Sequence, residues 1–379
     1  MDRGSQNIST KDNQPTGKEQ KSALGQFYTT HYAYILEGMD IPASSNIIEP
    51  FVGNGDLIRW CESQKIANSI TCYDIQPPES SYATNIFIQD TLLHPPSYED
   101  KFIVTNPPYL AKNKTKMLSH ANVFAKWNTS DLYKAFIKSF CQQNPAGGVI
   151  IVPLNFLCDA KGTEAREQFL SKFKIRRINI FEDSVFEDTS YTVCSILFTA
   201  SKEHITSTDI PAVIYPTRKK IFISLSERYG WKIGGEIFNS DGENKYKISR
   251  LTSSNISPHS KCARDKSLRP EKPNKITNLL LHCVDGKGQN KESMIRLELN
   301  PVPLFGKDTD RSFCTLVVDP PINQQQQIEL VAKFNTELDF LRKKYHSLFL
   351  TNFREFGRKR ISFSTAFNIL QACLNELSE

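Results

Sequence analysis

The chain has 379 residues, of which 39% are apolar and 23% charged, and its net charge is +6 at pH 7. This length is enough for two domains, since a domain typically has roughly 100–200 residues around its own core. No uninterrupted apolar run approaches the roughly 20 residues that cross a bilayer, and the polar N-terminus lacks the apolar stretch of a secretory signal. We therefore expect a soluble, cytoplasmic protein and no membrane partner.

The cysteines are nine in number, which is odd, and no two form a C-x-x-C pair. This scatter argues against both a disulfide framework and a zinc cage. We expect reduced, mostly buried thiols and no metal site. The nine are Cys61, Cys72, Cys141, Cys158, Cys194, Cys262, Cys283, Cys314 and Cys373.

Positive charge is concentrated in the second half of the chain. Residues 201–379 hold 28 basic and 20 acidic side chains, a balance of +8, which leaves −2 for residues 1–200. Within 244–275 there are nine basic residues against Asp265 and Glu271. Such a density suits phosphate groups, although a solvated, highly charged loop would look the same.

In chain order, residues 1–22 come first, and their polar composition predicts a flexible tail. From 45 to 200, apolar runs rich in Ile, Val and Phe alternate with helical stretches, a pattern typical of a mostly parallel sheet with helices on both faces. The predicted strands are 45–51, 70–75, 84–89, 102–106, 148–153, 176–181 and 192–199. The predicted helices are 56–65, 131–143 and 162–173, the last with Thr163 as its cap.

Beyond residue 200 the pattern changes, because nine prolines interrupt short segments. Helical periodicity returns in 324–346, and a second apolar pattern follows in 364–377. The predicted fold is an α/β domain with a doubly wound, seven-stranded, mostly parallel sheet over 23–203. A second, C-terminal domain of mixed α+β character is predicted over 204–379.

A glycine-rich turn is predicted where the first strand runs into the first helix, in the stretch Glu49-Pro50-Phe51-Val52-Gly53-Asn54-Gly55-Asp56. In doubly wound sheets ligands bind at the carboxyl ends of strands, and glycines let the backbone approach them. A lone G-x-G also occurs in ordinary turns. However, the next two strands end in Asp74 and Asp90, and acids at three successive strand ends suit a nucleoside-like ligand.

The fourth strand is followed by Asn106-Pro107-Pro108-Tyr109. Its two prolines remove two backbone donors and restrict the residues before them, so the turn is stiff and can aim the amide of Asn106. The same dipeptides also end ordinary strands. The aromatic residue that follows and the glycine turn that precedes favour a functional site here.

The chain resembles the gamma-class N6-adenine DNA methyltransferases of type II restriction-modification systems in an ordered series of segments: Gly25-Gln26-Phe27-Tyr28-Thr29-Thr30, EPFVGNG, YDI, QD and NPPY. The resemblance covers about 22–200 well. The short spacing from Gly55 to Asn106 leaves no room for a recognition domain between the cofactor motif and the catalytic motif. This order of segments resembles that of the gamma class. The resemblance implies a Rossmann-like methyltransferase fold that binds S-adenosylmethionine over 23–203 and a DNA target-recognition domain over 204–379.

The resemblance also implies which residues hold the cofactor: Thr29 and Thr30 against the methionine carboxylate, Glu49 and Gly53 at the methionine end, Asp74 at the ribose hydroxyls, Asp90 at the adenine amine, and Pro107 and Tyr109 along both pockets. Double-stranded DNA is the implied partner. The chain is too short to hold a nuclease as well, so a cognate restriction endonuclease, if one exists, is expected to be a separate protein.

The implied chemistry centres on Asn106. The adenine amine is a poor nucleophile because its lone pair is delocalised into the ring. The Asn106 side-chain oxygen and the Pro107 carbonyl can accept both amine hydrogens and favour a pyramidal nitrogen. The target base must be flipped out of the duplex, and Tyr109 and Phe186 would stack on its two faces. Tyr191 is a competing candidate for the second aromatic residue.

Two basic stretches are expected to contact DNA. The stretch 110–130 leaves directly from the catalytic turn and has no acid before Asp131, which predicts a mobile loop that closes over DNA. The second stretch is the basic run 244–275. A solvated connector is the alternative for each of them. The predicted DNA-binding residues are Lys112, Lys114, Lys116, Lys266 and Arg269.

Other functions remain open at the level of sequence. NPPY also occurs in enzymes that methylate the N5 atom of glutamine side chains in proteins, and related sites modify RNA or cytosine amines. A catalytically inactive DNA-binding homologue is a further alternative. The segment Gly25–Thr30 and the basic second half favour DNA over a protein substrate, and the intact Gly53, Asp74 and Asn106 favour an active enzyme.

Overall fold

The computed structural model describes residues 29–43, 45–83, 85–115, 117–159, 162–186, 192–238, 245–253, 275–286, 294–304, 306–353 and 355–378. Across these residues the strands form a nine-stranded sheet, a four-stranded sheet and a two-stranded hairpin. The two larger sheets correspond to the two kinds of region that the sequence predicts.

The nine-stranded sheet has the order β3-β2-β1-β4-β5-β7-β6-β8-β9. Its strands are β1 (Ser45–Glu49), β2 (Ala67–Asp74), β3 (Ile86–Ile88), β4 (Phe102–Thr105), β5 (Gly147–Pro153), β6 (Phe173–Phe181), β7 (Val193–Ala200), β8 (Ser207–Tyr215) and β9 (Lys219–Ser226). The pairings among β1 to β5 and between β6 and β8 are parallel. β7 is antiparallel to β5 and β6, and β9 is antiparallel to β8.

The strand order reverses at β1, which lies between β2 and β4. Because parallel crossovers are right-handed, the connections on the two sides of β1 cover opposite faces of the sheet, which leaves a crevice at the carboxyl ends of β1 and β4. The helices of this region are α1 (Tyr32–Ile35), α2 (Asp56–Ser63), α3 (Leu118–Trp127), α4 (Leu132–Cys141), α5 (Asn155–Cys158) and α6 (Thr163–Leu170). The predicted doubly wound α/β fold is confirmed.

The predicted strand count of seven is too low, because β8 and β9 extend the same sheet to Ser226. The sequence places both strands beyond the predicted boundary at 203/204. Pro211 argues against a strand here, because proline has no backbone N–H to donate. However, β8 pairs with β6 only over Ala212–Tyr215, so Pro211 need not donate a hydrogen bond to β6.

The second region is mixed α+β, as predicted. Its antiparallel sheet has the order β10-β13-β11-β12, and two long helices and the hairpin complete it. The elements are β10 (Lys247–Arg250), β11 (Ile276–His282), β12 (Arg296–Leu299), β13 (Phe313–Asp319), α7 (Gln324–Lys344), β14 (Thr351–Phe353), β15 (Glu355–Arg360) and α8 (Phe363–Leu377). The helices predicted at 324–346 and 364–377 are therefore confirmed.

The predicted cap of α6 is wrong. Gly162 precedes the helix, and Thr163 is its first residue. The Thr163 hydroxyl accepts a hydrogen bond from Nη2 of Arg166 at 3.1 Å instead of capping the backbone. Arg166 is fully buried, so its guanidinium needs several acceptors, and it takes this hydroxyl together with backbone carbonyls.

Apolar packing is continuous between the two regions, since buried side chains of both sheets belong to one core cluster. The eight cysteines within the described residues are all buried, in agreement with the expectation for most of the thiols. Among the helices that the structure describes, none is long and apolar enough to cross a bilayer.

Candidate active site

The turn after β1 depends on two glycines. Gly53 and Gly55 have φ values of 47° and 80°, in the left-handed region that other residues rarely adopt. A Cβ atom on Gly55 would lie 2.9 Å from the backbone nitrogen of Ala83, so a larger residue would also collide with the neighbouring loop. The backbone N–H of Gly53 donates to Oδ2 of Asp74 at 2.9 Å, which joins the turn to the end of β2.

The two predicted aspartates organise the ends of neighbouring strands. Asp74 is buried, and its second oxygen, Oδ1, accepts from the backbone N–H of Gln76 at 2.8 Å. Oδ1 of Asp90 accepts from the backbone N–H groups of Leu92 and Leu93, both at 3.0 Å. Each carboxylate is thus oriented by backbone donors and keeps oxygen lone pairs for a ligand.

Glu49 is fully buried at the end of β1. Its Oε1 accepts hydrogen bonds from the Thr105 hydroxyl at 2.5 Å and from the backbone N–H of Phe51 at 3.0 Å. Its Oε2 is also buried and has no hydrogen-bond partner among the described residues. Burial raises the pKa of Glu49 to about 8, although the two donors act in the opposite direction. A cationic ligand group bound here would favour the ionised carboxylate and satisfy this oxygen.

The side chain of Asn106 is held from both ends. Nδ2 donates to the hydroxyl of Thr29 at 3.1 Å, and Oδ1 accepts from the hydroxyl of Tyr109 at 2.5 Å. The Tyr109 hydroxyl also lies 2.8 Å from the backbone oxygen of Ile151 in β5. Because this hydroxyl has one proton, the two oxygens are alternative acceptors for it. Burial raises the pKa of Tyr109 well above its usual value, so the hydroxyl keeps its proton.

The two aromatic residues expected to stack on a base contact each other. Tyr109 and Phe186 are both buried, with ring centroids 6.4 Å apart and an interplanar angle of 68°. A planar base between parallel rings needs roughly 7 Å, two van der Waals contacts, so the rings would have to reorient to admit one. The competing candidate, Tyr191, lies outside the described residues.

One pocket connects several of these groups. With its solvent-open part it encloses about 770 Å³ at the carboxyl ends of the central strands. Its lining includes four of the predicted residues, namely Gly53, Asp74, Asp90 and Asn106. Thr29, Glu49 and Pro107 are buried outside that lining, and Thr30 is exposed. Hydrogen bonds connect Thr29 to Asn106 directly, and Glu49 to Thr105 before it.

One wall of this pocket, which the sequence does not indicate, comes from the N-cap and first turns of α3 and combines the apolar Met117 and Val123 with the imidazole of His120. The predicted mobile loop 110–130 instead contains this helix, a short 3-10 turn at Lys112–Lys114 and a bridge between Ala111 and Asp131. The apolar spacing of residues 120–127 could have indicated the helix. The lysines around it favoured the loop interpretation.

The predicted DNA-binding residues are only partly within the described part of the chain. Lys112 and Lys114 are exposed on the 3-10 turn, on the chain segment that leaves the catalytic turn. Lys116, Lys266 and Arg269 lie outside the described residues. Lys112 and Lys114 are thus accessible, and their role in DNA binding stays a prediction.

Residues 63–186 match a protein family described as Eco57I restriction-modification methylase. The matched segment runs from the last residue of α2 to Phe186 and includes the turn Asn106–Tyr109. No curated protein matches the chain.

Several solved structures resemble the chain weakly. The type IIG restriction endonuclease BpuSI is 11% identical over 96% of this chain and 61% of its own, with a TM-score of 0.43. The type I restriction enzyme EcoKI M protein is 14% identical over 62% and 61%, with a TM-score of 0.37.

A type I restriction-modification methyltransferase subunit from Streptococcus thermophilus is 12% identical over 53% of this chain and 47% of its own, with a TM-score of 0.32. This chain thus spans about half to three fifths of the length of the three structures. The scores are too low to assign a role to any residue of this chain.

Proposed function

We propose that this chain, whose residues 63–186 match a restriction-modification methylase, is a DNA methyltransferase that uses S-adenosylmethionine to methylate the exocyclic amine of adenine. The observation that carries the proposal is the shared pocket, where Asp74 and Asp90 lie on the same surface as the amide of Asn106. The pocket therefore offers carboxylates that suit a nucleoside and an amide that suits a planar amine.

The chemistry of the pocket fits the cofactor. Asp74 and Asp90 offer oxygen acceptors that suit ribose hydroxyls and an adenine amine. The buried Oε2 of Glu49, which has no hydrogen-bond partner among the described residues, suits the ammonium of the methionine end. The apolar side chains of the wall from α3 suit the flat face of an adenine ring. When bound, S-adenosylmethionine supplies an electrophilic methyl group attached to a sulfonium sulfur.

The chain's own contribution is to orient the target amine. Oδ1 of Asn106 and the carbonyl of Pro107 accept its two hydrogens, which favours a pyramidal nitrogen with an available lone pair. For this, the amine replaces the Tyr109 hydroxyl at Oδ1. Tyr109 can then donate to the Ile151 oxygen, which already lies 2.8 Å away, so no buried donor loses its partner. The reaction then depends mainly on positioning.

DNA is the proposed substrate because the second half of the chain carries the positive charge that a polyanion requires. Lys112 and Lys114, beside the catalytic turn, and Lys116, Lys266 and Arg269 are the proposed phosphate contacts. Tyr109 and Phe186 would part to stack on the flipped base.

Transfer of tritium from labelled S-adenosylmethionine to duplex DNA, RNA and protein tests the proposal directly. We expect label in DNA and N6-methyladenine after digestion to nucleosides. Label in glutamine or RNA would support the alternative substrates, and label in N4-methylcytosine would contradict the choice of base. DNA binding without incorporation would indicate an inactive homologue.

Asn106→Ala tests the assigned chemistry. We expect transfer to fall by roughly 100-fold or more, because the variant loses the acceptor for the target amine. Cofactor affinity, measured by calorimetry, should stay near the wild-type value. Asn144→Ala is the matched control, since Asn144 is exposed at the opposite edge of the sheet, before β5. Retained transfer in Asn106→Ala would refute the assignment.

A further inference from the structure

A cationic cluster surrounds the β14–β15 hairpin, outside the pocket. We name it the hairpin cluster and define it as Arg311, Arg358, Lys359 and Arg360. The nearby carboxylates are Glu182 and Asp285. Asp285 is already engaged by the guanidinium of Arg342 through two hydrogen bonds of 2.9 and 3.2 Å. Nε of Arg358 also donates to the backbone oxygen of Asp285, at 2.8 Å, which holds the hairpin against this residue.

The hairpin cluster lies next to the proposed active site. Lys359 is buried, and its ammonium is 3.9 Å from Oε1 of Glu182. Glu182 directly follows β6, which ends at the same edge of the sheet as β4, and it precedes Phe186 by four residues. The strand that carries Arg360 is thus attached to the base of the segment that carries Phe186.

Arg311 and Arg360 are held close to each other by one short segment. The backbone N–H of Cys283 donates to the oxygen of Ser312 at 2.8 Å, and the N–H of Ile361 donates to the oxygen of Cys283 at 2.9 Å. Arg311 and Arg360 directly precede Ser312 and Ile361. Each arginine is therefore next to a residue that is bonded to Cys283.

Among the residues that the structure describes, neither of these two guanidiniums has a counter-ion. Within the described residues, no carboxylate lies within 4.0 Å of either, and the buried Nε of Arg360 has no hydrogen-bond acceptor. Burial, and then repulsion from Arg311, lower the pKa of Arg360. An anion that accepts hydrogen bonds from both guanidiniums would reduce this repulsion and provide an acceptor for Nε of Arg360.

We propose that Arg311 and Arg360 bind a backbone phosphate of the DNA strand beside the target nucleotide. The proposal rests on the proposed function. A phosphate offers several acceptor oxygens that match the planar donors of two guanidiniums. The contact fixes the register of the duplex relative to the segment that carries Phe186, without reading sequence. Lys359 acts from the opposite face of β15 by holding the hairpin to Glu182.

Binding of a labelled duplex of random sequence, measured over a range of salt concentrations, tests this site. Phosphate contacts do not depend on sequence, so the recognition sequence need not be known. We expect Arg360→Gln and Arg311→Gln each to reduce the slope of log affinity against log salt by about 0.9. The affinity gap to the wild type should accordingly shrink by roughly eightfold for each tenfold rise in salt.

Three controls make the result specific. Arg360→Lys keeps the charge and should keep most of the slope. Lys202→Gln removes an exposed charge that follows β7 at the opposite edge of the sheet, and it should leave the slope unchanged. Arg311 is exposed, so Arg311→Gln decides the question if Arg360→Gln does not fold.

The outcomes separate the two proposals. Wild-type slopes in both glutamine variants, together with DNA binding by the wild type, would overturn the phosphate site and leave the proposed function standing. A wild-type protein that neither binds nor methylates DNA would overturn both. Reduced slopes with unchanged cofactor affinity would support the site.

Discussion

The amide of Asn106 is placed by two hydroxyl groups, one from a distant part of the chain and one from its own turn. Thr29 lies 77 positions before it and Tyr109 only three after it, yet both reach its buried side chain. A primary amide can rotate by half a turn and exchange its oxygen and nitrogen. Two different partners at its ends favour one of these orientations, which decides whether Oδ1 can face a substrate.

Thr29→Val tests this orienting role. The substitution keeps the shape of the side chain but removes the hydroxyl that accepts from Nδ2 of Asn106, so the amide loses one of the two hydroxyl groups that orient it. We expect kcat to fall by roughly tenfold at saturating cofactor, and Thr29→Ser to restore it. If Thr29 only contacts the cofactor, KM for S-adenosylmethionine will rise while kcat is unchanged. Steady-state kinetics of the two variants distinguish these cases.

Glu49 predicts a pH dependence of stability. Burial raises its pKa from 4.5 to about 8 in the folded protein, so between these values the folded state binds more protons than the unfolded state. Its contribution is therefore fully present below pH 4.5 and is lost as the pH rises through about 8. Within this window the loss is about 1.4 kcal/mol per pH unit.

Urea unfolding of wild type and Glu49→Gln at several pH values measures this contribution. The glutamine variant cannot ionise, so its stability relative to the wild type should improve as the pH rises from 6 towards 8. A difference that is constant over this range would show that Glu49 does not hold a proton in the folded state.

Among the elements, α3 shows how local composition can mislead. Its exposed face combines Leu118 with alanine, asparagine and lysine, a composition that also suits a loop, whereas Val123, Phe124 and Trp127 pack into the core. The indole N–H of Trp127 donates to the oxygen of Leu92 at 2.7 Å, which fixes the helix against the segment that carries Asp90. The helix is stabilised by this packing and not by its own sequence.

The start of α7 carries a reciprocal cap that predicts a stability effect. The side chain of Asn323 accepts from the backbone N–H of Gln326, and the side chain of Gln326 accepts from the backbone N–H of Asn323, both at 2.9 Å. Asn323→Ala removes one of these bonds and should lower the free energy of unfolding by about 1 kcal/mol.

Denaturant unfolding measures the loss, with Gln325→Ala as the control. Gln325 is exposed and bonds only Glu329 within the described residues, an interaction worth about 0.2–0.5 kcal/mol. If both variants lose the same free energy of unfolding, the cap stabilises α7 no more than an ordinary exposed side-chain pair does.

The strands were the most predictable elements. All seven predicted strands of the first domain exist. Most of them are buried runs of Ile, Val and Phe bounded by polar turns, a pattern that favours a strand of a doubly wound sheet. The edge strand β3 is largely exposed and is an exception. The partners of the strands were less predictable. β8 and β9 join the first sheet although prolines and the change of composition separate them from it in sequence.

At the scale of the whole molecule, the two regions cannot be treated as independent bodies joined at residue 203. The first sheet extends to Ser226, and one core cluster includes side chains from both regions. The hairpin of the second region also reaches the carboxyl edge of the first sheet through Lys359 and Glu182. This junction is where a duplex could contact both regions at once.

The sequence by itself determined the residue types of the candidate site. The stiff turn at Asn106, the two left-handed glycines and the strand-end aspartates follow from local backbone preferences and strand periodicity, which act over a few residues. These local rules also indicated the doubly wound fold.

Only the tertiary structure decided which groups meet. The bond from Asn106 to Thr29, the closed pair of Tyr109 and Phe186, and the proximity of Arg311 to Arg360 all join positions that are far apart in sequence. Such contacts depend on strand order and on how buried side chains fill one core. Local propensities do not determine that arrangement, so the sequence could indicate the residues of the site but not the distances and contacts between them.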